Sequence, residues 1–275
     1  MMGGELRTLV TAAVLALGSS AASAVAAGIQ TGAATGAWHR PIAVIGASQS
    51  SNWSGYNQGT LEDGNEMYTS IAGTWTVPTA SQKVAGQAEF SSTWVGIGGG
   101  CVNSSCSVTD STLIQAGTEQ DVSKNGAASY FAWWEIIPEP ETQVSLPVKA
   151  GNVITVTVTQ SSPGQWAIVI KNVSTARQVT ITTAYSSTHA TAEWIEETPL
   201  IIGTGGGFAP LPKLSVVHFD HALTDGVNPR LAAAEQIQLV NGSGKVIAQP
   251  SKPDADTDGF NDCAWATTCA APSSS

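Results

Sequence analysis

The chain has 275 residues, 11 basic and 21 acidic, with a formal net charge of −10 and a pI near 4.7. A hydrophobic fraction of 42% supports a packed core and excludes global disorder, and the shortage of Lys and Arg excludes a nucleic-acid partner, which needs clustered cations. The length admits one large all-β domain or two small ones, and the low charge content, 12%, suits an extracellular or acid-exposed protein.

In chain order, Leu9 to Leu17 form an apolar run after Arg7, followed by the small-residue sites Ala22-Ser23-Ala24 and Ala24 to Ala27. This is the layout of a secretory signal peptide over residues 1–27. The run is shorter than the about 20 apolar residues of a membrane anchor. The expectation is a secreted protein that leaves the membrane with signal removal. Residues 28–48 are Ala/Gly-rich with little pattern and read as a linker or short prosegment, leaving 49–275 as one domain.

From Asn52 onward the pattern is β. Tyr68 to Trp75 and Phe90 to Ile97 are rich in aromatic and β-branched residues, as is Trp166 to Ile170. Val153 to Thr159 alternates, with Ile154, Val156 and Val158 on one face and threonines on the other, and Gln178 to Thr183 repeats the device. Asp63-Gly64, Lys124-Asn125-Gly126, Pro163-Gly164 and Asn241-Gly242-Ser243-Gly244 mark turns. One helix is expected, Pro229 to Ile237. Period-two strands with one polar face predict antiparallel sheets packed face to face, an all-β sandwich or jelly roll.

The four cysteines come as two close pairs, Cys101 with Cys106 and Cys263 with Cys269. Local pairing closes two loops with the least rearrangement. The spacings are wider than usual zinc ligand pairs and no histidine sits beside them, so two disulfides are expected and no metal. Asp254, Asp256, Asp258 and Asp262 resemble the opening of a calcium loop, but Trp265 stands where the closing Glu belongs, so an acidic turn is the reading preferred. Asn52, Asn103, Asn172 and Asn241 lie in N-x-S sequons. His39, His189, His218 and His221 are scattered, and His218 with Asp220 shares one strand face without further context.

In a chain so poor in charge, carboxylates beside tryptophan stand out. Trp133-Trp134-Glu135 and Ala192-Glu193-Trp194 each place a glutamate in aromatic, strand-like sequence. Burial against indole raises a carboxyl pKa and prepares it for acid–base work. Gln115, after the apolar Leu113-Ile114, is either a structural bridge or an oxyanion donor.

These residues carry a resemblance to the glutamic peptidases, the eqolisins or family G1. The matching blocks are Ser51-Asn52-Trp53-Ser54-Gly55-Tyr56, Gly73-Thr74-Trp75-Thr76-Val77-Pro78 and Ser92-Thr93-Trp94-Val95-Gly96-Ile97. Leu113 to Gly117, Tyr130 to Pro138 and Ala192-Glu193-Trp194-Ile195 follow in the same order, within a span of roughly 50 to 250. The resemblance implies a concanavalin-like or jelly-roll-like sandwich of two bent antiparallel sheets, with substrate on the concave face. It implies a catalytic dyad of Gln115 and Glu193, with Trp94, Glu119, Trp133 and Glu135 lining the cleft. Glu119 stands where the family usually has aspartate, Gly98 where fungal members have aspartate, and the loop Cys101 to Asp110 looks longer than theirs.

The implied enzyme is a secreted, acid-acting endopeptidase on protein or peptide substrates, pepstatin-insensitive, without cofactor, and monomeric. The alternative is a sugar-acting sandwich, either a glycoside hydrolase using Glu135 and Glu193 as its carboxyl pair or a carbohydrate-binding module. That reading gives Gln115 no necessary role.

Overall fold

The structure, a computed structural model, describes Met1 and residues 37–201 and 207–273. Met1 apart, the expected signal peptide and the start of the 28–48 segment lie outside the described residues. In chain order the strands begin with β1 (Ala37–Trp38), β2 (Val44–Gly46), β3 (Gln49–Ser50), β4 (Trp53–Gly59), β5 (Ser70–Thr76), β6 (Ala80–Ser81) and β7 (Ser92–Ile97). They continue with β8 (Ile114–Val122), β9 (Ala128–Ile136), β10 (Thr142–Val144), β11 (Val153–Ser162), β12 (Gln165–Asn172), β13 (Arg177–Ala184) and β14 (Thr191–Glu197). Last come β15 (Leu200–Ile201), β16 (Gly207–Phe208), β17 (Lys213–Leu214), β18 (Val217–Thr224), β19 (Gln236–Val240), β20 (Val246–Pro250) and β21 (Phe260–Ala264).

One hydrogen-bonded path, β10-β9-β8-β7-β14-β4-β19-β20-β21-β18-β5-β11-β12-β13, runs through the molecule. It doubles over into two layers. The first sheet runs from β10 to β19 and the second from β20 to β13. Tyr56, Val95, Ile97 and Trp194 of the first pack with Trp75, Ile154, Val156, Trp166, Phe219 and Phe260 of the second in one core. This is the expected all-β sandwich. Within the second sheet, burial follows the sequence alternation: Ile154, Val156 and Val158 are fully buried and the intervening threonines half-buried.

The expected helix over Pro229–Ile237 does not form. Ala233–Glu235 makes one 3₁₀ turn, and Gln236 and Ile237 already belong to β19, paired with Tyr56 and Gly55 of β4. Pairing of β19 with β4 and β20 overrides the helix preference of the preceding alanines. The disulfides Cys101–Cys106 and Cys263–Cys269 are both present, with Cα separations of 4.8 and 5.6 Å. Asp254, Asp256 and Asp258 bring ligand atoms within 4.8 Å of one another, while Asp262 instead accepts a 2.6 Å bond from Ser54 Oγ. Of the sequon asparagines, Asn52 and Asn172 are wholly buried.

The first sheet breaks the one-face-wet pattern. Every residue of β4, β7, β8 and β14 is buried, on both faces. Two segments cover its outer face, the one turned away from the core. One is the loop from Gly98 to Asp110, closed by its disulfide. The other is a strap, Trp38 to Ala43, whose Ile42 joins Trp53, Trp94, Leu113, Trp133 and Ile195 in a second apolar cluster. Burying an isoleucine side chain contributes about 1.5–3 kcal/mol. The strap is tied down by backbone and side-chain bonds: Ile42 N–H donates to Gly99 O at 2.9 Å, and Ala43 N–H to Asn52 Oδ1 at 2.7 Å.

Candidate active site

Strand register aligns the polar residues of the outer face in one row. Glu193 of β14 lies opposite Asn57 of β4 and Gly96 of β7, Gly96 opposite Gln115 of β8, and Gln115 opposite Glu135 of β9. Directly opposed residues point to the same face. Gly96 therefore leaves a gap between the Gln115 amide and the Glu193 carboxylate, two strand spacings or about 10 Å apart at the backbone. In the next row Gly117 separates Trp94 from Trp133, and in the row beyond Glu119 faces Ser92. All six residues expected at the site share this face.

Gln115 Nε2 donates to Glu135 Oε2 at 2.8 Å, which fixes the amide so that its second N–H and its oxygen face elsewhere. Among the described residues, Gln115 Oε1, Glu135 Oε1 and both oxygens of Glu193 have no hydrogen-bond partner, although all three side chains are buried. Such orphans are rare and cost about 1–3 kcal/mol each. Their clustering along one row marks a place kept for chemistry.

The electrostatics follow from burial. Desolvation holds the Glu193 carboxyl well above the usual carboxylate range. It pushes Glu135 up to about 8, against the opposing pull of His39. Glu119 rises to about 7 and Asp121 to about 10, both chiefly through burial, with the Glu119 charge adding to the shift of Asp121. In the closed structure Glu193 is thus a neutral acid near pH 5.

Trp94 Nε1 donates to Glu197 Oε2 at 2.8 Å, and Trp133 Nε1 to Ser92 Oγ at 3.1 Å. Between these tryptophans the strap inserts His39. Its Nδ1 is 3.0 Å from Glu197 Oε2, and its Nε2 is 3.1 Å from Glu119 Oε1 and 3.3 Å from Glu141 Oε2. The ring stacks on Trp133, with centroids 3.9 Å apart and planes 4° from parallel. Burial opposes charge on this imidazole, but the facing carboxylates, Glu197 foremost, outweigh it and hold its pKa well above normal. With carboxylates at both nitrogens, the imidazolium donates from both. One imidazole and two carboxylates also make a set of metal-ligand types, and the direct contacts account for the cluster without an ion.

Gly98 and Gly100 shape the covering loop. Gly98 has φ +94° and a Cβ there would collide with Thr112 O, so an aspartate is excluded at this position. A Cβ at Gly100 would strike Glu193 Oε1 and Asn57 Oδ1, so the loop lies directly over the glutamate. Asn57 holds it there through both backbone groups of Cys101.

Sequence reasoning missed Glu197, Glu141, Asn57 and the strap's His39. Period-two reading of β14 would have found Glu197, which shares a face with Glu193. Nothing local signals His39, whose partners lie 80 to 158 residues away. His218 and Asp220 lie on the second sheet, either side of the core-facing Phe219, away from this site.

A sequence model of the peptidase A4 family matches residues 51–257. Comparison with curated proteins gives no match. The fold is similar to that of scytalido-glutamic peptidase bound to a transition state analog inhibitor, with TM-score 0.59 at 19% identity over 78% of this chain and 98% of that one. It is similar to SCP-B, an eqolisin peptidase in complex with the tripeptide Ala-Ile-His, at TM-score 0.57 and 19% identity over 78% and 98%. Aspergilloglutamic peptidase from Aspergillus niger gives TM-score 0.51 at 24% identity over 64% and 99%.

Proposed function

The chain belongs to the peptidase A4 family and is a peptide hydrolase, and from that premise we propose that it is an acid-acting, secreted endopeptidase working through Gln115 and Glu193. The observation that carries this reading is the gap over Gly96, with an amide on one side and a carboxyl on the other. Glu193, once ionised, takes a proton from a water molecule, and the water oxygen attacks the scissile carbonyl carbon. The Gln115 N–H not engaged by Glu135 donates to the developing oxyanion, a contact strongest in the transition state. Protonated Glu193 then delivers its proton to the leaving amine as the C–N bond breaks, giving a carboxylic acid and an amine. Glu135 acts as a positioning residue through its bond to Gln115.

The glycosidase alternative fits the geometry poorly. Glu135 and Glu193 stand three strand spacings apart, about 14 Å at the backbone, against the about 5–9.5 Å between the carboxyl groups of glycosidase pairs. The test is cleavage of denatured casein between about pH 2 and 7 with pepstatin present, for the wild type, Gln115→Ala and Glu193→Gln, each verified as folded. Activity falling about 100-fold or more in both variants supports the dyad. Near wild-type activity in Gln115→Ala rules out its role as oxyanion donor.

A further inference from the structure

The face that holds the proposed dyad is closed. Gln115 and Glu193 are both 0% exposed, so no substrate reaches them without movement of what lies on top. The cover is built from the chain itself: the loop at Gly99 and Gly100, and the strap Trp38 to Ala43 bonded to that loop through Ile42 N–H. The strap's deepest side chain is His39, 1% exposed, which fills a pocket with one aromatic wall and three carboxylates.

Such a pocket has a definite chemistry. Trp133 takes a flat or cationic group on its face, and Glu119, Glu141 and Glu197 converge on two donor nitrogens. Glu119 lies on the same strand face as Gln115, four residues along β8 or about 14 Å at the backbone. Trp133 lies opposite Gly117, midway between them. An extended peptide seated on the dyad therefore reaches the pocket with a side chain a few residues from the scissile bond.

We propose that the pocket of Glu119, Glu141, Glu197 and Trp133 is a substrate subsite for a cationic side chain, and that the strap occupies it in cis as a substrate-like plug, with His39 standing in for that side chain. This rests on the peptidase reading and adds the substrate class. Removing the plug frees the subsite and the loop over Glu193 together, since Ile42 N–H to Gly99 O joins them.

The experiment measures binding rather than catalysis. The purified full chain carrying His39→Ala is titrated with a labelled synthetic peptide of residues 36–46, read by fluorescence anisotropy. Parallel peptides carry Lys, Ala or Leu in place of the histidine. The expected result is binding of the His and Lys peptides at least 10-fold tighter than the Ala and Leu peptides, and no binding of any to the wild-type chain, whose pocket is filled. Equal affinity for all four peptides, no binding to a folded His39→Ala chain, or equal binding by the wild type overturns the proposal. If His39→Ala does not fold, Ile42→Asp, which expels the strap from its apolar seat without altering the pocket, carries the same titration. Casein cleavage is followed separately in the same samples. A chain that binds by this charge rule yet cleaves nothing in the opened state overturns the peptidase reading and leaves the subsite standing.

Discussion

Glu135 holds Gln115 by a single 2.8 Å bond between two buried side chains, and that bond decides which way the amide points. In Glu135→Leu the amide loses its acceptor and can rotate, so kcat is expected to fall about 10-fold with KM little changed, the kinetic equivalent of one ordinary hydrogen bond. Glu135→Gln, which keeps an acceptor oxygen, should recover most of that loss; a variant no better than Glu135→Leu contradicts the positioning role. Glu193 gives a second residue-level prediction. Burial raises its pKa in the closed chain, and rehydration lowers it toward the ordinary glutamate value. A general base works when ionised, so the acid limb of kcat/KM should lie at lower pH in His39→Ala than in the wild type. Identical limbs in pH–rate profiles of the two proteins would disprove the link between the plug and the glutamate.

Strands are where the sequence was most readable. The alternation of β11 and β13 and the aromatic runs of β5, β7 and β12 announce their own faces, because one side packs on the core and the other meets water. The order of Gln115, Glu135 and Glu193 across strands was not readable, since register between distant strands has no local code. Nor was the burial of polar β8, with its Gln115, Glu119 and Asp121, because the segment that covers it, around Trp38-His39-Arg40-Pro41-Ile42, has no periodicity. Gly96 makes the element-level test. A Cβ there would lie 3.0 Å from Gln115 Cβ and 3.1 Å from Leu113 Cδ1, tight enough to displace the amide and narrow the gap. Gly96→Ala should lose at least 10-fold in casein cleavage while Tm moves only a few degrees. Unchanged activity in this variant would mean that the gap is not where the substrate carbonyl sits.

Across the whole molecule, the buried acids set an unusual pH response. Glu119 and Asp262 are raised to about 7, Glu135 to about 8 and Asp121 to about 10, each chiefly by burial, and Glu193 and Glu196 also stand well above normal. An acid whose folded pKa exceeds its unfolded value of about 4 binds protons more tightly when folded. Its contribution is complete below pH 4 and is lost as pH rises through the folded value. His39, also raised, acts in the same direction: its contribution is complete below about pH 6.5 and disappears at higher pH. Stability should therefore decline steadily from pH 4 to pH 9, with Tm falling on the order of 10 °C between pH 4 and pH 8. Calorimetry across that range checks it, and a maximum near pH 7 would show that the acids are not buried as described. Among the described residues no helix is long and apolar enough to cross a membrane, and the two disulfides suit an oxidising compartment.

The ion pair between His39 and Glu197 spans 158 residues of chain, and this distance gives the molecule a calendar. During synthesis the strap emerges long before its partners on β8, β10 and β14 have been made, so it has nowhere to dock until the sandwich exists. Docking is then the last event of folding, and in partial unfolding the strap, held by few bonds at one end of the chain, is the first piece to leave. For a moment after each birth the cleft stands complete and uncovered, and a neighbouring nascent chain is the nearest polypeptide within reach.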